Sequence, residues 1–222
     1  MKEVERDLKN KTIINLVGPS AVGKTSLINE IDSNYPDFSR VISYTTRKPR
    51  DGEPLDTYRF INADDADIDE LTNSSVQYDQ FPGTDIVYGT QVTDYRNTFN
   101  LLDTLSSSVD TFRDLGFAAC KQFIIVTSPM EWQERINTRK FSSEQQLNRY
   151  DEGIKSLEWS ISEQDAVKWI YNQTGYLRAS SNSIVELSVD DSAYNNHDDR
   201  NAKEIGQDLL WYIKYLKRNQ KR

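Results

Sequence analysis

Residues 18–25 read GPSAVGKT, a complete G-x-x-x-x-G-K-[ST] loop between the apolar run TIINLV and the segment SLINEI. Such a loop binds phosphate, and it needs a strand to feed it and a helix to receive the anion at its N-terminus. Gly18 and Gly23 let the backbone wrap so that successive N–H groups face phosphate oxygens. Lys24 supplies a cation for the β- and γ-phosphates, and Thr25 is suited to ligate magnesium. The ATP-binding set read from the motif is Gly18, Ser20, Ala21, Val22, Gly23, Lys24, Thr25 and Ser26. The loop fixes a nucleoside triphosphate site and leaves any second substrate open.

A second cluster lies in FSRVISYTTRKPRDGEPLDTYRF, residues 38–60. Arg47 and Arg50 stand three apart in an irregular stretch, with hydroxyls available from Ser43, Tyr58 and, further on, Tyr88. Two guanidinium groups and several hydroxyls can converge on one doubly charged phosphate through charge-assisted, bidentate bonds. Without that convergence, RKPR is a solvated basic loop.

The elements that must position these residues follow the hydrophobic pattern. Residues 12–17 read as a buried strand and 24 to about 32 as the helix after the loop. Residues 40–61 read as strand, basic loop, strand, and Asn62 or Asp64 caps a short acidic helix through Leu71. SVQY and DIVYGT are two further short strands, so this block forms a small inserted lobe. Thr93 caps a helix to about Thr98, residues 99–103 form a central strand ending in Asp103, and Ser106 to Leu115 is helical, closed by Gly116. KQFIIVT is the next buried strand, and Pro129 opens a helix to about Thr138. A long helical stretch is expected from Ser143 to about Gln173, SNSIVELSV as a further strand, and 198–217 as an amphipathic helix packing Ile205, Leu209, Trp211, Ile213 and Leu216. This order predicts an α/β fold with a doubly wound parallel sheet, one domain with an insert at 38–92 and a lid at 139–150. The core comprises 11–37, 93–138 and 151–222.

Composition narrows the chemistry. A net charge of −8 over 222 residues argues against a broad nucleic-acid surface, while small anions need only local cations such as those in RKPR and RINTRK. The longest apolar runs are too short to span a bilayer and the N-terminus lacks a leader pattern, so the expected address is cytoplasmic. Cys120 is the only cysteine and His197, in the polar run YNNHDDR, the only histidine. Zinc sites and histidine-dependent nucleophiles are thereby disfavoured.

Residues 38–60 resemble guanylate kinase. The family's serine, T-T-R, P-R, G-E and tyrosine before an aromatic are met by Ser43, Thr45-Thr46-Arg47, Pro49-Arg50, Gly52-Glu53 and Tyr58. The likeness continues through YGT at 88–90, LLD at 101–103 and MEWQERINTRKFSS, covering roughly residues 12–150. It implies a P-loop kinase fold with ATP and magnesium, Ser43, Arg47, Arg50, Tyr58 and Tyr88 on the phosphate of GMP, and Thr90 with an acid on its base. Asp79 occupies the position of the family's base-binding glutamate, and Asp103 keeps the first acid of its D-I-D while Leu105 replaces the second. The resemblance implies Asp103 as a partner of the magnesium shell or of the base pocket. The resemblance assigns Arg139 and Arg149 to the lid, although Lys140 replaces the usual glycine and Arg149 stands one place early. Lys24, Arg47, Arg139 and Arg149 form the implied catalytic set. The adenine-contacting asparagine-aspartate pair after the last strand has no clear counterpart, with Asp190-Asp191 at that place. Nucleotides are the implied partners, in a monomer or homodimer. Two alternatives stay open: a same-fold kinase for another acceptor, or a non-catalytic module that binds protein, against which the intact Gly18, Lys24 and Thr25 count.

Overall fold

A computed structural model describes residues 8–49, 53–62, 68–80, 85–163, 167–190 and 200–220. Nine strands are described: β1 (Thr12–Val17), β2 (Phe38–Arg40), β3 (Tyr44–Thr45), β4 (Arg59–Phe60), β5 (Ser75–Gln80), β6 (Val87–Gln91), β7 (Phe99–Asp103), β8 (Ala119–Val126) and β9 (Lys168–Tyr171). The helices are α1 (Lys24–Asn34), α2 (Ile68–Ser74), α3 (Val109–Arg113), α4 (Pro129–Asn137), α5 (Ser143–Ser162), α6 (Leu177–Val189) and α7 (Arg200–Gln220). The central sheet runs β2-β7-β1-β8-β9, with β2–β7 and β8–β9 parallel. All six residues of β1 are buried, as expected of an apolar strand covered on both faces. The fold is α/β with a parallel central sheet, as the hydrophobic pattern predicts.

The chain divides into two compact units. The first comprises 1–13, 37–102 and 108–120. It holds the four-stranded sheet β4-β3-β6-β5, in which β3 pairs parallel with β4 and antiparallel with β6. Leu8, Ile13, Val41, Val76, Tyr95, Leu102 and Phe112 form its core. Asp94 fixes the turn after β6: its carboxylate accepts from Gln91 N at 2.7 Å and from Arg59 at 2.8 and 3.2 Å. A 3-10 turn, Val92–Asp94, therefore stands where the pattern predicts a helix from Thr93 to Thr98. The local carboxylate bonds compete successfully with helix propagation.

The second unit comprises 14–36, 103–107 and 121–222. Ser128 caps α4, accepting from Glu131 N, and Pro129 takes the first turn as expected. The long helix predicted from Ser143 to Gln173 ends at Ser162, and Lys168–Tyr171 is the last strand of the sheet. Conversely, SNSIVELSV is not a strand but part of α6, whose buried residues Ser180, Ser181, Ile184, Leu187 and Ser188 follow helical spacing. In α7 the buried stripe is Ala202, Gly206, Leu209 and Ile213. Trp211 falls on the opposite face, 67% exposed, and stacks on Tyr215 instead of packing into the core. The predicted acidic helix is present as α2, but its candidate caps differ in standing: Asp64 lies outside the described residues, as does His197, while Asn62 lies within them.

Candidate donor and acceptor sites

The phosphate loop owes its shape to its glycines. Gly18 has φ +141°, and a Cβ there would lie 2.4 Å from the carbonyl oxygen of Ile125 on β8. Gly18→Ala is accordingly expected to lower stability by about 1–3 kcal/mol and weaken ATP binding, read by thermal unfolding and nucleotide titration. Gly23, at φ +98°, gives way to the amide of Asn172, whose Nδ2 would be 2.2 Å from an added Cβ. Ala21 also takes a left-handed φ of 70°. Lys24 is 8% exposed, and its Nζ donates to Gly18 O at 2.7 Å and Pro19 O at 3.2 Å. Asp103 Oδ1, at the end of β7, lies 3.6 Å from the same nitrogen. Thr25 and Ser26 are exposed on the first turn of α1, where free backbone N–H groups favour anions.

Three side chains that the motif does not name brace this loop. Trp132 Nε1 donates to Ser20 O at 2.9 Å, while Arg135 Nη1 and Asn172 Nδ2 both donate to Val22 O, at 3.1 and 2.8 Å. Arg135 continues to Asn172 O and Thr174 Oγ1. Asn172 immediately follows β9, the last strand, after which the sequence offers no clear counterpart of the family's pair and Asp190-Asp191 only as a placeholder. Asp190 instead terminates α6, and Asp191 lies outside the described residues. In the sequence VKWIY is only a short, mostly apolar run, and NQTG after it is the turn signal.

Glu131 belongs to the same network. Burial works to raise its pKa, but bonds from Thr174 N, Thr127 Oγ1 and the Thr174 hydroxyl, with Arg135 nearby, hold it at about 2 against an ordinary 4.5. Its folded pKa is thus below its unfolded value, so its stabilising contribution is present above about 4.5 and is lost as pH falls toward about 2. The difference in melting temperature between wild type and Glu131→Gln should shrink over that window. An equal difference at pH 3 and pH 7 would refute the linkage.

In the inserted sheet, Arg47 is the organising cation. It makes a bidentate pair with Glu53, both bonds 2.8 Å, and Nε donates to Tyr88 Oη at 3.2 Å. Its guanidinium also lies 5.3 Å from the Tyr58 ring and 5.5 Å from the Phe60 ring. The hydrogen bonds to Glu53 raise the Arg47 pKa despite burial, so the group is a permanent cation. The structure therefore brings Arg47, Tyr58 and Tyr88 together and adds Glu53, whose position in the G-E motif marked it without revealing its partner. Ser43 is half-buried beside them in sequence, its carbonyl accepting from Arg59 N, and Arg50 lies outside the described residues. Asp79, on β5, accepts from Gln77 Nε2 at 2.7 Å and from Ser108 Oγ. Thr90 is fully buried, and its hydroxyl bonds the Tyr95 hydroxyl at 2.7 Å.

Of the predicted lid residues, Arg139 is exposed in the turn after α4 and makes no ion pair among the described residues. Lys140 takes φ +49°, the left-handed conformation for which the family's glycine is suited. Arg149, on α5, pairs with Glu152 and places its guanidinium 5.8 Å from the Phe141 ring. Thr25 and Asp103 are the candidate metal-shell groups. No cluster of three or more His, Cys, Asp or Glu occurs among the described residues.

A parallel sheet with a phosphate loop leading from its central strand into α1, and a four-stranded sheet inserted later, defines a P-loop α/β fold of the kinase class. The guanylate kinase family model matches residues 9–168, and the chain belongs to that family. It is 27% identical over 136 residues to a guanylate kinase of Thermobifida fusca, covering 57% of this chain and 65% of that protein. It is 29% identical over 150 residues to one of Geobacter sulfurreducens, covering 60% and 68%. The chain thus spans about two thirds of the length of these relatives. Among solved structures, guanylate kinase from Anaplasma phagocytophilum matches with a TM-score of 0.52 at 17% identity, over 82% of this chain and 86% of that one, a likeness of fold. No described helix is long and apolar enough to cross a membrane.

Proposed function

We propose that the protein is an ATP-dependent nucleoside monophosphate kinase that transfers the γ-phosphate of ATP to GMP or dGMP, giving ADP and the diphosphate. The observation that carries this reading is Arg47, held by Glu53 and Tyr88 beside Tyr58, in a chain that also has a complete phosphate loop. Family membership supports the reaction class. The acceptor phosphate, with a second pKa of about 6, is largely dianionic at neutral pH and attacks the γ-phosphorus in line without a strong general base. The bond from the γ-phosphorus to the β-phosphate oxygen breaks as the new one forms, and ADP leaves.

The chain's own groups position and neutralise. Arg47 and Arg50, with the hydroxyls of Ser43, Tyr58 and Tyr88, hold the acceptor phosphate. Asp79 and Thr90 meet its base. Lys24, held at the loop by Gly18 O and Pro19 O, turns its remaining N–H to oxygens of the β- and γ-phosphates, and Arg139 and Arg149 close over the transferring group, excluding water. Magnesium, when bound near Thr25 and Asp103, neutralises phosphate charge. The acceptor-binding groups belong to the proposed insert 38–92 and the two arginines to the proposed lid 139–150. The proposed setting is the cytoplasm, with nucleotides as the partners of a monomer or homodimer.

ADP release measured across a panel of nucleoside monophosphates tests the reading. Selective turnover of GMP or dGMP is the expected result, and no turnover with any acceptor would overturn it. Asp79 and Leu105 favour one specific second reading, a same-fold kinase with another acceptor, since both reduce the carboxylate reach or number available to guanine. Preference for that acceptor in the same panel would establish it.

A further inference from the structure

We propose that Ser108 is a positioning residue for the acceptor base, acting through the Asp79 carboxylate; this rests on the GMP reading above. With Leu105 in place of the second acid of D-I-D, more of the recognition of the base falls to Asp79, at the position of the family's base-binding glutamate. It is shorter than glutamate by one methylene, so its orientation decides whether it reaches a ligand. Two donors fix that orientation. Ser108 Oγ and Gln77 Nε2 both donate to Oδ2, which leaves Oδ1 for the N–H donors of a bound base.

The surroundings make the arrangement rigid. Ser108 is 1% exposed and Gln77 8%, so either donor left unpaired would be costly, and both are held to the carboxylate. Ser108 stands three residues after Leu105, where the 3-10 turn Ser106–Ser108 enters α3. The segment that carries Leu105 in place of an acid thus supplies a hydroxyl to Asp79. Asp79 faces Tyr88 across the β5–β6 register and Gln77 faces Thr90, whose hydroxyl is itself fixed by Tyr95. The carboxylate is therefore oriented within a strand pair that also carries proposed phosphate- and base-binding groups. Guanine offers a ring N–H and an exocyclic amine to such an acceptor, whereas adenine presents an unprotonated ring nitrogen that repels it.

Calorimetric titration with GMP and with ATP, on wild type, Ser108→Ala, Ser108→Thr, Asp79→Ala and the Ser108→Ala/Asp79→Ala double variant, tests the proposal. Ser108→Ala should raise the GMP dissociation constant about tenfold to a hundredfold and leave that for ATP unchanged, and Ser108→Thr should recover most of the loss. In the Asp79→Ala background the Ser108→Ala effect should vanish, because its route is gone. Undiminished GMP affinity in Ser108→Ala, or equal losses in both backgrounds, would overturn the positioning role and leave the kinase reading standing. A wild type that neither binds nor phosphorylates GMP would overturn both. Should the alanine variant fail to fold, Ser108→Cys keeps the volume, weakens the donor and reads the same coupling.

Discussion

Replacing Lys24 with alanine is expected to lower turnover by about 10³-fold or more while the protein stays folded. The ammonium is preorganised: it is 8% exposed, held by Gly18 O and Pro19 O, and 3.6 Å from Asp103. A cation fixed in this way needs little reorganisation to meet the charge that develops on the β- and γ-phosphates, and its removal is felt most in the transition state. The fold should tolerate the loss because Asp103 is 40% exposed and water can take the place of the ammonium at the loop carbonyls. Arginine should not restore the rate, since a planar fork cannot fill the space of a compact ammonium bound by two backbone oxygens. Initial rates of ADP formation, beside circular dichroism and thermal unfolding, measure the effect. A rate within tenfold of wild type in a folded Lys24→Ala protein would remove Lys24 from the catalytic set.

Arg139→Ala is expected to produce the second large loss, about 10³-fold in turnover, with stability nearly unchanged. The reason lies in where the side chain sits. Arg139 is exposed in the turn after α4 and has no ion partner among the described residues, so truncation leaves no buried charge behind. Its cost should therefore appear when the lid closes on the transferring phosphoryl group, as a fall in turnover larger than the change in ATP affinity. Lysine at this position should recover only part of the rate, because it brings charge without bidentate geometry. Arg149, bound to Glu152, should by contrast cost stability when truncated, because a largely buried carboxylate loses this partner. Near-normal turnover by purified Arg139→Ala protein would defeat the lid assignment.

Elements with a strong local signal were legible in the sequence. The apolar run of β1, the loop that follows it, the capped start of α4 and the central strand ending in Asp103 all lie where pattern and capping chemistry put them. The region after α5 was not legible, because VKWIY is short and SIVELSV has enough apolar residues to mimic a strand. The outcome there depends on which face meets the sheet. Pairing of Phe123–Val126 with Lys168–Tyr171 makes the first a strand, and burial of Ile184 and Leu187 at helical spacing makes the second a helix.

By itself the sequence determined that this chain carries a phosphate loop in a strand-to-helix context and a cluster of arginines and hydroxyls suited to a second phosphate. Those follow from residue types and short spacings, which local chemistry dictates. Only the tertiary structure decided that Asn172, Arg135 and Trp132 brace the loop, that Glu53 holds Arg47, and that Ser108 reaches Asp79. Each of these joins residues whose sequence separation carries no signal, from the 6 positions between Arg47 and Glu53 to the 150 between Val22 and Asn172. Hydrogen bonds are short-ranged and directional, so such pairings come into being only when the sheets and helices have packed.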